Sequence, residues 1–228
     1  VNDTGGYVDF SFDSLAAALN SFRTPGYPLF LKAVGWVSSE HRYVPAAHFV
    51  CFCVGVLVFY FGLRSIGLNG WCSALISGSL LSTNILHGYV ETLATDTLAA
   101  AAGVTTVGLV MLRSTRPESR WIVVLLTISA ATTWFIRPAY LFIVVLVPVL
   151  GSMPLMRRQL GAAGGALWRR EFLVLCLAAG LPLFCWCMLR WTVLGRFGVG
   201  SFGGYNLVGV TGHFLDEEVS PRSPACQH

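Results

Sequence analysis

Two acidic segments carry the side chains best suited to chemistry. Asp3 precedes a glycine pair in the segment DTGGY, where the backbone can turn freely and leave the carboxylate exposed. Glu91 and Asp96 bound the segment ETLATD between two apolar runs, and acids so near to hydrocarbon are costly unless they are paired, bind a metal or face water. Each has a structural alternative: Asp3 also suits a solvated terminus, and Thr95 or Asp96 could cap the following helix.

Two arginines could supply the complementary charge. Arg137 stands directly before Pro138, and Arg23 begins the segment RTPGYP. A guanidinium presents a planar fork of donors that matches a phosphate or a carboxylate, although either arginine could instead extend its charged tip to a membrane surface. Carboxylates and arginines together would form a metal-phosphate site, provided that the intervening elements bring them to one place.

The composition indicates that those elements lie in a membrane. Hydrophobic residues make up 55% of the 228-residue chain and charged residues only 11%, and the mean hydropathy is +0.67. Such a chain could not cover itself with a soluble surface. The formal net charge of +4 does not indicate a nucleic-acid partner, because no run of basic residues follows a phosphate backbone and Lys32 is the only lysine.

Apolar runs separated by helix breakers predict an all-α, polytopic bundle of about six transmembrane helices. A spanning helix needs about 20 mostly apolar residues, since its backbone must satisfy its own hydrogen bonds in hydrocarbon. The proline after Arg137 disfavours helix there and predicts a tight hairpin. The predicted spans lie near 48–66, 70–90, 94–112, 121–136, 139–155 and 172–194.

Alternation of these spans sorts the loop charge by side. One set of loops carries eight arginines and two glutamates, a net charge of +6, and the other set has a net charge of −2. The positive-inside rule places the arginine-rich set in the cytoplasm. Every candidate site residue then falls on the opposite, outer face of the membrane.

The two ends of the chain complete a three-part organisation. In residues 1–47, Asp13 and Ser14 predict a capped helix over 15–22, and the apolar run 29–37 is too short to cross, so both suit interfacial helices on the outer side. Residues 48–194 form the bundle, and residues 195–228 form a glycine-rich outer loop and a polar tail. The GVGSFG segment at 198–203 matches a dinucleotide-binding pattern but follows a helix, and the five histidines lack ligand spacing, so neither predicts a cofactor site.

In chain order, DTGGY, RTPGYPL, ETLATD and the Ile136-Arg137-Pro138 step resemble landmarks of GT-C glycosyltransferases. They are most similar to the group of dolichyl-phosphate-mannose protein mannosyltransferases and bacterial aminoarabinose transferases. The resemblance covers roughly residues 1–210 and implies transfer of a sugar from a polyprenyl-phosphate carrier to a lipid, glycan or protein acceptor, with inversion, outside a bacterial plasma membrane.

The resemblance also implies a role for each residue. Asp3 matches the acid that would deprotonate the acceptor, and Asp96 the acid that would bind a divalent cation or orient the acceptor, with Asp3 as a second metal ligand. Arg23 and Arg137 would bind the lipid phosphate as it leaves. The supporting residues are Tyr7, Tyr27 and Glu91.

Two features depart from the family pattern. Family members have a helix before the first acid and more helices after the last one found here, so the chain is expected to be truncated. Its polar tail from 212 has no counterpart. A membrane transporter and a non-catalytic membrane subunit are the alternatives, and the scarcity of charge inside the spans together with the lack of an internal repeat argues against transport.

Overall fold

A computed structural model describes residues 5–21, 23–37, 42–82, 95–159 and 165–200. Within these ranges the regular structure is entirely helical. Three short helices precede the bundle, and a 3-10 helix at Pro138–Phe142 links the helix Arg120–Ile136 to the helix Ile143–Gln159. The α-helices are α1 (Gly5–Val8), α2 (Leu15–Asn20), α3 (Gly26–Gly35), α4 (Val44–Ser65), α5 (Gly70–Leu81), α6 (Thr95–Thr115), α7 (Arg120–Ile136), α8 (Ile143–Gln159) and α9 (Gly165–Leu194).

The helices α4 to α9 overlap the six predicted apolar runs. Three of them are long and apolar enough to cross a membrane: α4, α6 and the part of α9 from Trp168. The described part of α5 has 12 residues, and the rest of its predicted span, 83–90, lies outside the described residues. The helices α5, α7 and α8 are apolar but shorter. The chain is therefore all-helical where described, with three candidate membrane spans.

Local signals explain where the helices begin and end. The side chain of Ser14 accepts a hydrogen bond from the Ala17 amide and caps α2 as predicted. The helix α4 begins four residues before the predicted start at 48, because Pro45 occupies its first turn, where a missing N–H is harmless. After α7, Arg137 is extended, with φ −139° and ψ 107°, as expected before a proline.

Packing between helices establishes their relative direction. Gly55 lies against Ala101 and Gly62 against Gly108, so α4 and α6 run parallel. Thr106 forms a hydrogen bond with Ser129, and Gly103 lies beside Thr133, so α7 runs antiparallel to α6. Gly103 lies near Tyr140, just before α8, and Gly151 lies near Val110, so α8 runs parallel to α6. Gly151 also lies against Leu175 and Gly180 near Val144, so α9 runs antiparallel to α8.

This alternation gives the bundle two chemically different ends. We call the end with the start of α6 and the last turns of α7 and α9 the aspartate end, after Asp96. The opposite end, with the last turns of α4 and α6 and the starts of α7 and α9, is the arginine end, after Arg64, Arg113, Arg116, Arg120, Arg169 and Arg170. The helix order thus places these arginines at one end, as the charge sorting predicts, whereas most acids of the other loop set lie outside the described residues.

Glycines allow α4 and α6 to approach closely. An added Cβ at Gly108 would lie 2.8 Å from the Cα of Phe59, and one at Gly62 would lie 2.7 Å from the carbonyl oxygen of Gly108. Backbone atoms cannot move aside as side chains do, so both positions require the absence of a side chain. This interface forms the centre of the bundle, since α6 also packs against α7 and α8.

We expect Gly108→Ala to lower the free energy of unfolding by about 1–3 kcal/mol, the usual effect of overpacking, despite the better helix propensity of alanine. Gly78→Ala is the matched control, because a Cβ there meets nothing within 4 Å. The unfolding midpoints of the two variants should be measured by thermal unfolding of the purified protein in detergent. Equal midpoints for the two variants would contradict the close packing.

Candidate functional site

The aspartate end brings two predicted site residues into direct contact. Asp96 lies in the first turn of α6, and Arg137 follows the last residue of α7. Nη1 of Arg137 and Oδ1 of Asp96 form an ion pair, and the two side chains are 37% and 35% exposed. A carboxylate and a guanidinium that are held together yet accessible can meet a substrate from outside the bundle.

The local backbone accounts for this pairing. The positive end of the α6 dipole favours a carboxylate in its first turn. Pro138 prevents Arg137 from continuing α7, so the arginine leaves the helix in an extended conformation. Both side chains are thereby presented at the same end of two adjacent antiparallel helices.

The RTPGYP segment packs beside this pair. Tyr27, in the first turn of α3, is fully buried, and its ring makes an edge contact with Tyr7 at 5.1 Å between centroids. The guanidinium of Arg23 lies over the other tyrosine, 4.8 Å from the centre of the Tyr7 ring. Such cation–π contacts hold the arginine at a defined place.

Gly26 is the residue that permits this packing. A Cβ at Gly26 would lie 2.5 Å from the carbonyl oxygen of Phe135 and 2.9 Å from the amide nitrogen of Ile136. The start of α3 therefore rests on the last turn of α7, one residue before Arg137. The glycine of the RTPGYP segment thus connects Arg23 and Tyr27 to the ion pair.

We expect Gly26→Ala to separate α3 from α7 and to lower any activity of this site by about tenfold or more, because small displacements of positioned groups cost much of their effect. Gly35→Ala is the control within the same helix, since its Cβ meets nothing within 4 Å. Turnover and the unfolding midpoint should be measured together. Unchanged turnover in Gly26→Ala would show that α3 does not position the site.

His48 is a residue that the sequence reasoning did not assign to the site. It is fully buried, its ring stacks on Phe30 at 5.2 Å, and its Nε2 lies 3.4 Å from the hydroxyl of Tyr27. Burial, and then the neighbouring Tyr7, raise the pKa of Tyr27, so its hydroxyl stays protonated. An ionisable side chain within an apolar helix was the signal that could have identified His48.

Arg190 joins two further segments to the aspartate end. Its Nε donates to the carbonyl of Leu19 at 3.2 Å, and its Nη1 donates to the carbonyl of Gly198 at 2.8 Å. Trp186 adds a hydrogen bond to the carbonyl of Val199. The end of α2 and the start of the glycine-rich loop therefore sit on the last turns of α9. The rest of the GVGSFG segment, residues 201–203, lies outside the described residues.

Five of the seven predicted site residues belong to this region. Tyr7 and Tyr27 share a buried cluster with Leu98 and Ile136, which adjoin Asp96 and Arg137 along the chain, and Arg23 covers Tyr7. Asp3 and Glu91 lie outside the described residues. No group of three metal-binding side chains occurs among the residues that the structure describes, and Asp96 is the one described residue of the predicted metal pair.

Comparisons with family models, curated proteins and solved structures found no match to this chain. The glycosyltransferase resemblance therefore rests on the four short segments alone. The geometry adds that Asp96 pairs with Arg137 and that Gly26 of the RTPGYP segment lies against the backbone of Ile136. Tyr7 joins this region through its contact with Tyr27.

Proposed function

We propose that this chain is a GT-C-type glycosyltransferase that moves a sugar from a polyprenyl-phosphate carrier to an acceptor, with inversion at the anomeric carbon. The observation that carries the proposal is the accessible Asp96–Arg137 ion pair at the end where Arg23 and both tyrosines converge. A phosphate-linked donor needs fixed cations for its leaving group and a carboxylate for its acceptor, and this end of the bundle supplies both types.

In the proposed reaction, the bond between the anomeric carbon and the phosphate oxygen breaks as the acceptor oxygen attacks. The acceptor proton passes to Asp3, and the lipid phosphate leaves with the electron pair of the broken bond and so gains a negative charge. Arg137 and Arg23 stabilise this charge, because donors already in place need no reorganisation in the transition state. When a phosphate binds Arg137, Asp96 is released from the ion pair and can orient the acceptor.

A divalent cation would need Asp3 beside Asp96, since one carboxylate that is paired with an arginine is a poor ligand set for a hard cation. No step above depends on a metal. Transfer measured with and without a chelator tests this part separately. A loss of transfer that added Mg²⁺ or Mn²⁺ restores would support a metal at these acids.

The proposed location is a bacterial plasma membrane, with six spans and the aspartate end outside. The arginine end then faces the cytoplasm, in accord with the positive-inside rule. Exposed tryptophans support the placement: Trp71 and Trp121 stand at the arginine-end starts of α5 and α7, and Trp36 and Trp191 lie towards the other end. Tryptophan side chains at both levels are typical of membrane interfaces.

The test is to reconstitute the chain in lipid vesicles and supply labelled polyprenyl-phosphate sugars with a mixture of lipid and peptide acceptors. We expect label to move to an acceptor, and Arg137→Gln to reduce this transfer by about a hundredfold or more. Arg42→Gln is the control, because Arg42 is exposed and contacts Tyr43 instead of the site. No transfer from any polyprenyl-phosphate sugar would contradict the proposal.

A further inference from the structure

An apolar cavity opens at the opposite end of the bundle from the candidate site. It has a volume of about 240 Å³ and lies between α6 and α8, with Ile66, after the end of α4, among its lining residues. The cavity extends to Met111 and Ser114 in the last turns of α6. It therefore runs towards the arginine end and away from Asp96.

The lining of the cavity suits a hydrocarbon chain. The two polar residues among its lining side chains are already satisfied: Thr106 bonds Ala102 and Ser129, and the hydroxyl of Ser114 donates to the carbonyl of Met111. A cavity of about 150 Å³ with an apolar lining stays dry and binds small hydrocarbons. This cavity is larger, and the exposure of Ile66 and Leu150 on its lining opens it to the surroundings of the bundle.

Exposed arginines stand at the same end as the cavity. Arg64 is two residues before Ile66, and Arg116 is two residues after Ser114. Arg64 uses one of its five N–H donors for the carbonyl of Leu68. Arg120, Arg169 and Arg170 are also exposed at this end, whereas Arg113 is buried and neutralised by Glu171. The surface charge beside the cavity is therefore positive, with Glu118 as the exposed acid described there.

From this combination we infer a binding site for an anionic diacyl phospholipid, with one acyl chain in the α6–α8 cavity and the phosphate at Arg64 and Arg116. Trp121, which is 72% exposed at the start of α7, lies at the level expected for headgroups. The apolar cavity selects a chain, and the arginines select a negative headgroup. The site is independent of the proposed sugar transfer, because it lies at the other end of the bundle.

Native mass spectrometry of the purified chain, with phosphatidylglycerol or phosphatidylcholine of identical acyl chains added to the detergent, tests this site. Each arginine near a membrane surface contributes about fivefold to the binding of anionic lipid. We expect wild type to prefer phosphatidylglycerol by at least about tenfold and the Arg64→Gln/Arg116→Gln double variant to lose most of that preference. Arg42→Gln/Arg196→Gln has the same change of charge with both exposed arginines outside the arginine end, and it should keep the preference.

A second variant tests the cavity. Val107→Phe adds a ring to a half-buried lining residue and should reduce retention of both lipids, whereas Val124→Phe, on an exposed face of α7, should not. Equal binding of the two lipids by wild type, or an undiminished preference in the arginine double variant, would overturn the inference. Normal retention of both lipids by Val107→Phe would also overturn the inference, because the acyl chain would then lie outside this cavity. Substitutions at exposed positions usually change stability by less than about 0.5 kcal/mol, so the arginine comparison decides even if Val107→Phe fails to fold.

Discussion

Replacing Asp96 by asparagine should lower the proposed sugar transfer by at least about a hundredfold. Asp96 is proposed to orient the acceptor, and a misplacement of about 1 Å between reacting groups can lower a rate by about a hundredfold. Asparagine keeps the size of the side chain and can still accept a hydrogen bond from Arg137, but it lacks the negative charge that attracts a cation or an acceptor hydroxyl. The measurement is initial-rate transfer from a labelled polyprenyl-phosphate sugar in vesicles.

Loss of folding would not explain such a result. The Asp96–Arg137 pair is about one-third exposed, and ion pairs open to solvent typically contribute about 0–1 kcal/mol to stability. The unfolding midpoint of Asp96→Asn should therefore stay close to that of wild type. Asp9→Asn is the control, since Asp9 is another exposed acid in the segment before the bundle and outside the ion pair.

Arg137→Lys separates charge from geometry at the same pair. Lysine keeps the positive charge but lacks the planar fork that binds two phosphate oxygens at once. If Arg137 binds the leaving phosphate, the lysine variant should retain part of the activity that Arg137→Gln loses. If Asp96→Asn and both arginine variants transfer sugar at the wild-type rate, the ion pair has no part in the reaction.

Periodicity and charge were enough to predict which residues share an end of the bundle. The sequence places Arg113 and Glu171 on one side and Asp96 and Arg137 on the other, because successive spanning helices put their connecting loops on alternate sides of a membrane. Caps and breakers such as Ser14 and Pro138 were predictable for the same reason, since each acts on residues next to it in the chain.

The contacts within each end were not predictable. Gly26 beside Phe135, His48 beside Tyr27 and Arg190 on the carbonyl of Leu19 each join residues far apart in the sequence. Their partners depend on how helices rotate about their axes, and an almost uniformly apolar helix does not encode that rotation in its hydrophobic pattern. The first residue of α9 was also not predictable. The helix begins at Gly165 and includes charged residues that a hydropathy window excludes.

The largest effect on stability is expected at the arginine end, where Glu171→Gln leaves a buried charge without its partner. Arg113 and Glu171 are 5% and 6% exposed, and two hydrogen bonds of 2.5 and 2.8 Å join the guanidinium to the carboxylate. Removing one member of a buried pair typically costs about 3–5 kcal/mol. Unfolding of the purified chain in detergent should show a loss of this size, and Glu118→Gln, at an exposed acid of the same end, should show almost none.

Replacing both members of the pair separates two contributions to the free energy of unfolding: the attraction between the two charges, and the cost of burying one charge alone. Arg113→Met/Glu171→Leu removes both charges and fills the same space with apolar groups, a change that is often neutral or stabilising in buried pairs. We therefore expect the double variant to recover most of the stability that Glu171→Gln loses. Arg113 also donates to the carbonyl of Ser119 at 3.0 Å, so any part that is not recovered measures how far this arginine holds the α6–α7 connection. A double variant as unstable as Glu171→Gln would mean that this connection, and not charge compensation, is what the buried arginine provides.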